Sequence, residues 1–147
     1  MSKKRAVPLW LNSVMKFVLR SPLHSVVSDK IMLLTFTGRK SGKRYTIPVS
    51  YTQQGNSLAM FTNHIWWKNL VEHALVTLRL RGHRVKAMVA LNTDDVEQIA
   101  PVLAEHLRDK PTDAPIHNVT YDDAGEPVAE EVRRAAGNVR MVRFKLA

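Results

Sequence analysis

Two neighbouring stretches set the hydrophobic pattern of the first half of the chain. Ile31–Phe36 is almost wholly apolar and β-prone, whereas Tyr45–Tyr51 alternates apolar and polar side chains. Between them lies Thr37-Gly38-Arg39-Lys40-Ser41-Gly42-Lys43-Arg44, a basic segment carrying two glycines. Strand-like runs on either side of a glycine-containing segment predict two strands and a loop. Ser57–Thr62 reads as a third strand after the turn Gln53-Gln54-Gly55-Asn56. Leu75–Arg81 and Arg84–Leu91 alternate around Gly82-His83, which predicts a hairpin. A last strand, Val139–Leu146, puts Val142, Phe144 and Leu146 on one face.

Helical spacing appears elsewhere. Pro8–Leu19 has a broad apolar face opened by a proline, and a short helix around 22–27 is expected after Ser21-Pro22. Trp66–His73 has helical character. Asp94–Arg108 starts with Asp94 and Glu97 at capping-box spacing, and Pro101 interrupts it, marking a kink or the start of a second segment. Pro127–Ala136 carries acids early, Arg133 and Arg134 late, and Gly137 after its end, a full set of helix signals. These elements predict an α+β fold: about six strands, mostly antiparallel, forming a small barrel with peripheral helices. One domain over residues 1–147 is expected, with an N-terminal helical segment 1–28 and a helical insertion 94–137 before the last strand.

If Gly82 and His83 form the hairpin loop, Arg81 faces Arg84 and Arg79 faces Lys86. Cross-strand partners point to one side, so four cations share a face, with Leu78, Leu80, Val85 and Ala87 on the core side. Like charges opposed across strands repel, so an anion is needed there: solvent ions, the acidic C-terminal region or a ligand.

Charge distribution sharpens this picture. The chain has net charge +9, and residues 1–91 hold 15 of its 22 Lys and Arg but only 2 of its 13 Asp and Glu. An anionic ligand, nucleic acid or membrane surface is implied as partner, unless the acidic remainder neutralises the charge internally. With no cysteine in the 147 residues, disulfides, thiolate metal sites and a Cys nucleophile are excluded. Six scattered histidines lack ligand spacing, so no metal site is expected. There is no signal-peptide pattern and no apolar run of spanning length, so a cytoplasmic location is expected. The N-terminal helix reads either as a core element or as a peripheral membrane contact using Lys3, Lys4, Arg5, Lys16 and Arg20.

The basic loop is not a P-loop. Three residues separate its glycines where four are needed, Arg44 stands in place of Ser/Thr, and a strand follows instead of a helix. Hydrolytic groups are not evident. A cationic loop, aromatics and apolar strands suit a protein that takes its chemistry from an anionic cofactor. A solvated basic hairpin, with Trp66 and Trp67 as core anchors, is the plainer alternative.

Leu33-Leu34-Thr35-Phe36-Thr37-Gly38-Arg39-Lys40-Ser41-Gly42-Lys43, then Pro48, then Trp66-Trp67-Lys68-Asn69-Leu70, resembles the deazaflavin-dependent nitroreductase family. That family belongs to the flavin/deazaflavin oxidoreductases with a split β-barrel. The resemblance runs from about Leu33 to Leu91 and more loosely through the final strand. It implies coenzyme F420 as cofactor, with Arg39, Lys40, Ser41, Gly42 and Lys43 holding its phosphate and acidic tail. It also implies Pro48 behind the ring system, and Trp66, Trp67 and Asn69 near ring and phosphate.

Two departures stand out. Family members usually carry an arginine where this chain has Tyr45, and Arg44, one step early, is sent by alternation to the opposite face. Asn63-His64-Ile65 is also shorter than usual. Thr62 and Asn63 with Lys68 resemble the spacing in pyridoxamine-phosphate-oxidase-like proteins, which bind FMN, the alternative cofactor. The implied activity is hydride transfer from reduced F420 to a small unsaturated, quinone or nitro acceptor, with Tyr121 and His64 as proton-delivery candidates and a homodimer as the implied assembly. A basic barrel binding RNA or single-stranded DNA is the rival class. It is disfavoured because aromatics make up only 7% of residues and no strand interleaves them with basic side chains.

Overall fold

The computed structural model describes residues 31–147, so the expected N-terminal helical segment, and the membrane contact weighed for it, lie outside the described residues. Seven strands form one antiparallel sheet: β1 Ile31–Thr37, β2 Arg44–Ser50, β3 Thr52–Gln54, β4 Ser57–Thr62, β5 Leu75–Leu80, β6 His83–Thr93 and β7 Arg140–Leu146. Their order is β2-β1-β5-β6-β7-β4-β3. The first and last strands in this order, β2 and β3, are consecutive in sequence and separated only by Tyr51. One stretch of chain therefore pairs with β1 through its first half and with β4 through its second, and the sheet must curl to bring both ends together. Bending at Tyr51 also explains seven strands where the hydrophobic pattern predicts six.

Alternation sorts the side chains into two cores. Met32, Leu34, Phe36, Leu58, Met60, Leu78, Val142 and Phe144 fill the inside of the curl. On the other side of β4 and β7, Ala59 and Met141 pack against α1 (Val96–Asp109) and α2 (Ala129–Ala136), joined by Ile99, Leu103, Leu107, Val132 and Ala136. Both helices fall between β6 and β7 in the chain.

Several local expectations are corrected. The β5–β6 loop is Arg81-Gly82, both with positive φ (48° and 80°), so the turn sits one residue earlier than predicted and each cross-strand partner is displaced by two. Arg79 faces Arg84 and Lys86 faces Thr77, which leaves three cations on the outer face instead of four. Arg81 instead reaches across the curl to the Tyr51 hydroxyl (3.2 Å) and Gln53 Oε1 (2.5 Å). The predicted core side holds, with Leu78, Leu80 and Ala87 buried. No carboxylate pairs with Arg79, Arg84 or Lys86 among the described residues, so the acidic C-terminal region does not neutralise them through ion pairs.

Asp95, not Asp94, caps α1, accepting the Glu97 amide at 2.9 Å. Pro101 sits inside α1 without ending it. The segment predicted as helix over 66–73 is only a 3₁₀ turn, Ile65–Asn69. Within the connector 110–123, Pro111–His117 forms a second 3₁₀ helix.

Candidate functional site

The antiparallel pairing brings the end of β1, the start of β2, the end of β4 and the starts of β5 and β7 to one end of the barrel. The basic loop and the segment 63–74 meet there. Asn69 joins them: its Oδ1 accepts the Arg39 amide at 2.8 Å, while its Nδ2 donates to the Trp66 carbonyl at 3.0 Å. Asn92 on β6 holds the same segment by donating to the carbonyls of Trp67 (3.2 Å) and Leu70 (2.7 Å).

The loop closes on itself through Gly38 N–H to the Lys43 carbonyl (2.7 Å) and Gly42 N–H to the Gly38 carbonyl (2.9 Å). Gly42 has φ +69°, a conformation that favours glycine. The Lys43 amide donates to Ser41 Oγ at 3.2 Å. After these bonds, two loop amides, those of Lys40 and Ser41, have no partner among the described residues. Arg39, Lys40, Lys43 and Arg44 are exposed and make no ion pair among the described residues. Unpaired cations beside free N–H groups are a chemistry suited to phosphate.

Against this loop stands an aromatic wall. Phe36 stacks on Tyr45 (ring centroids 5.7 Å, 27° between planes) and on Trp66 (5.6 Å, 19°). Register accounts for the first pair, since Phe36 and Tyr45 are direct partners across β1 and β2. A cleft of about 250 Å³ is lined by Phe36, Gly38, Arg39, Lys40, Ser41, Tyr45, Trp66 and Asn69. A methyl group on Gly38 would lie 2.8 Å from both Ser41 Oγ and Tyr45 Cε2, so wall and loop approach as closely as glycine permits.

A second cleft of about 370 Å³ opens on the other side of the tryptophan pair, lined by Thr62, Asn63, Trp67, Asp94, Gly137, Asn138, Val139 and Arg140. Adjacent residues on a 3₁₀ turn point about 120° apart, and here Trp66 and Trp67 take different clefts. The Arg140 guanidinium lies 3.9 Å from the Trp67 ring centre, donates to Asn92 Oδ1 at 2.5 Å and sits 3.6 Å from Asp94.

Arg39, Lys40, Ser41, Trp66 and Asn69 are thus brought together from the positions nominated by sequence. Gly42 and Lys43 shape the same loop. Thr62, Asn63 and Trp67 belong to the second cleft, and Lys68 lies exposed with its ammonium 5.9 Å from the Trp67 ring. Pro48 is not brought to the first cleft; Ile47 and Val49 face the core, so alternation turns Pro48 outward. His64 precedes the 3₁₀ turn, its amide donating to Thr62 Oγ1 at 3.1 Å.

Tyr121 lies in the helical layer, where its hydroxyl donates to the Leu107 carbonyl at 2.6 Å. Burial, with the charge of Asp113, pushes that phenol upward. The structure does not bring Tyr121 to the loop cleft. Phe36 and Tyr45 were missed by motif reading. The signal for them was available: they flank the loop symmetrically and pair as soon as β1 and β2 are placed in register.

A third polar cluster lies away from both clefts. Ser50, at the opposite end of β2 from the loop, donates to Asp113 Oδ2 (2.5 Å), which also meets His106 Nε2 at 2.8 Å. Burial alone would raise the Asp113 carboxyl, but the hydrogen bonds from His106 and Ser50 outweigh it and hold the group below its usual range. His117 is pushed down by burial and then by the nearby His106. Among the described residues, no group of three metal-ligating side chains is assembled.

A family model described as F420H(2)-dependent quinone reductase matches residues 21–113. No curated protein matches the chain. Among solved structures, an Agrobacterium tumefaciens protein of unknown function is similar at 12% identity and TM-score 0.52, over 88% of this chain and 56% of that one. An F420 reductase is similar at 10% identity and TM-score 0.48, over 90% and 92% of the two chains. A pyridoxamine 5′-phosphate oxidase-related, FMN-binding protein from Nostoc punctiforme shows 11% identity and TM-score 0.48, over 96% and 82%.

Proposed function

The chain belongs to the F420H(2)-dependent quinone reductase family, and from that premise we propose that the loop cleft is where coenzyme F420 is held. The family makes the protein an oxidoreductase that uses F420. The observation that supports the location is the meeting of two free amides and unpaired cations with a three-ring wall in one cleft. Phosphate and carboxylate groups accept charge-assisted hydrogen bonds from Lys and Arg, and a flat ring system packs on aromatic faces.

Arg39, Lys40, Ser41 and Lys43, with the Lys40 and Ser41 amides, would bind the phosphate, and Gly38 and Gly42 let the backbone approach it. Phe36, Tyr45 and Trp66 would orient the ring and keep water from one side of it. Asn69 fixes the distance between loop and wall, since it bonds to both. When bound and reduced, the cofactor supplies a hydride to the acceptor, and one proton completes the reduction of each acceptor atom left anionic. Fixed donors near that atom lower the barrier by stabilising its developing charge. His64, at the start of the turn that carries Trp66, is the proton-delivery candidate at this end of the barrel. Tyr121 is already committed to Leu107.

Ile65, Val71 and Leu75 are 70%, 60% and 81% exposed at this same end and form an apolar rim where a quinone or nitroaromatic acceptor would arrive. Among the described residues no helix is long and apolar enough to cross a membrane. A homodimer remains part of this reading through the resemblance alone. The test is a fluorescence titration of the pure protein with oxidised F420, with FMN, and with a single-stranded oligonucleotide at matched salt. Saturable F420 binding is expected. Binding of FMN in preference would move the protein to the flavin branch, and tight oligonucleotide binding with neither cofactor bound would overturn the reading.

A further inference from the structure

Tyr45 does more at the loop than complete the aromatic wall. Its hydroxyl lies 3.3 Å from Ser41 Oγ, and that oxygen also accepts the Lys43 amide at 3.2 Å. A serine hydroxyl has two acceptor lone pairs and one donor hydrogen. When Tyr45 donates, both lone pairs of Ser41 are occupied, one by the Tyr45 hydroxyl and one by the Lys43 amide. The only hydrogen-bonding capacity left to Ser41 is then its own O–H, as a donor. It stands beside the free Lys40 and Ser41 amides in the same cleft.

The fit around this bond is tight. Phe36 holds the Tyr45 ring by stacking at 5.7 Å, and register fixes the two residues opposite each other. A methyl group on Gly38 would come within 2.8 Å of both Tyr45 Cε2 and Ser41 Oγ, so the pair closes over the bare glycine backbone. The Tyr45 ring is 44% exposed, yet its hydroxyl end is turned towards the loop.

We propose that Tyr45 is a positioning residue that acts through Ser41: by filling the last acceptor site on Ser41 Oγ, it converts that hydroxyl into a fixed donor for a phosphate group. An ionised phosphate group only accepts hydrogen bonds, so a serine free to act as acceptor there would present a lone pair to it part of the time. This inference rests on the loop cleft being the phosphate site, and it adds a role for a side chain that touches the phosphate only indirectly.

The probes are inorganic pyrophosphate, followed by ¹⁵N amide shifts of Lys40 and Ser41, and two cofactor forms, F420 and its phosphate-free deazaflavin nucleoside, followed by fluorescence. Tyr45→Phe removes the hydroxyl and keeps the ring. It is expected to weaken pyrophosphate and F420 binding about three- to tenfold, the usual effect of one hydrogen bond, and to leave the nucleoside unchanged. Ser41→Ala should lose a similar factor, and the double variant should be no worse than Ser41→Ala alone, because both changes remove one linked unit.

Equal weakening of nucleoside and F420 by Tyr45→Phe would mean that the hydroxyl acts on the ring portion of the ligand and not on its phosphate, which overturns the inference. So would unchanged pyrophosphate titration, or additive losses in the double variant. Because pyrophosphate reads the loop without the cofactor, failure of wild-type protein to bind F420 while Tyr45→Phe still weakens pyrophosphate would count against the cofactor assignment and in favour of the Tyr45–Ser41 device.

Discussion

The two clefts beside the tryptophan pair have similar parts and opposite states. Each has a tryptophan, at least one asparagine and cationic charge at the same end of the barrel. In the second cleft the cation is spent: Arg140 lies on the Trp67 ring, bonds to Asn92 and faces Asp94. In the first, Arg39 and Lys40 have no carboxylate among the described residues, and two neighbouring backbone amides have no acceptor. A basic residue whose partners are internal contributes to folding. A basic residue left without partners, beside donors also left without partners, is arranged for something that arrives from solution. Counting cations along the sequence does not separate these cases, but accounting for their partners does.

Breaking the first cleft should therefore change binding and spare the fold, and breaking the second should do the reverse. The largest effect is expected from Gly38→Val. Its side chain cannot fit where a Cβ already meets Ser41 and Tyr45 at 2.8 Å, so F420 affinity should fall by at least tenfold in a fluorescence titration.

Next comes Arg140→Ala, which removes a cation–π contact and a hydrogen bond to Asn92. It should lower stability by about 1–2 kcal/mol in urea unfolding, with F420 affinity within twofold of wild type. A binding loss at Arg140 as large as that at the loop would erase the distinction between the clefts. The tryptophans offer a paired version. Trp66→Leu should weaken F420 more than it weakens the fold, because Trp66 lines the loop cleft, and Trp67→Leu should mainly lower stability by removing the surface on which Arg140 rests.

The smallest effect concerns the cluster at Ser50, His106 and Asp113, with His117 beside it. His117 is depressed below 6.5 in the folded protein, so the unfolded chain binds more protons in the window below that value. Stability should therefore decline as pH falls from 6.5 towards the folded-state value, and His117→Asn should flatten that decline. Asp113 is also depressed, so its contribution is present above its unfolded value of 3.8 and is lost only as pH falls through its lower folded value. Thermal unfolding followed from pH 7 to well below pH 3.8 would show the two steps in that order. A His117→Asn profile identical to wild type above pH 4 would contradict the first step.

Much of the fold was legible because strand alternation is a local signal. The runs at 31–37, 44–50, 57–62 and 140–146 lie where the hydrophobic pattern puts them. The hairpin turn lies one residue earlier than predicted, and its pairing two residues away, because Arg81 takes the left-handed conformation at φ 48°, which a sequence reading assigns to Gly or Asn first. The bend at Tyr51 leaves no sequence mark of its own; it is imposed by the need to close the curl. At the site, the loop was legible from its glycines and charge. Trp66 and Trp67 were nominated together, and which cleft each ring lines depends on how the 65–69 turn is placed. The Phe36–Tyr45–Trp66 wall needed tertiary placement of the 65–69 turn, and the fate of Tyr121 depended on where the helical layer sits. Neither is encoded in spacing.

The central claim is that the unpartnered loop cations hold the cofactor's anionic end. Lys40→Glu tests it most directly, with dissociation constants for F420 measured alongside the urea midpoint. The expected result is a loss of about 10–100-fold in affinity, the scale of a lost charge-assisted contact, with the midpoint unchanged because Lys40 is exposed and makes no ion pair. Wild-type affinity in the Lys40→Glu protein would contradict the account, because the loop would then be a solvated basic turn and F420 would be bound elsewhere.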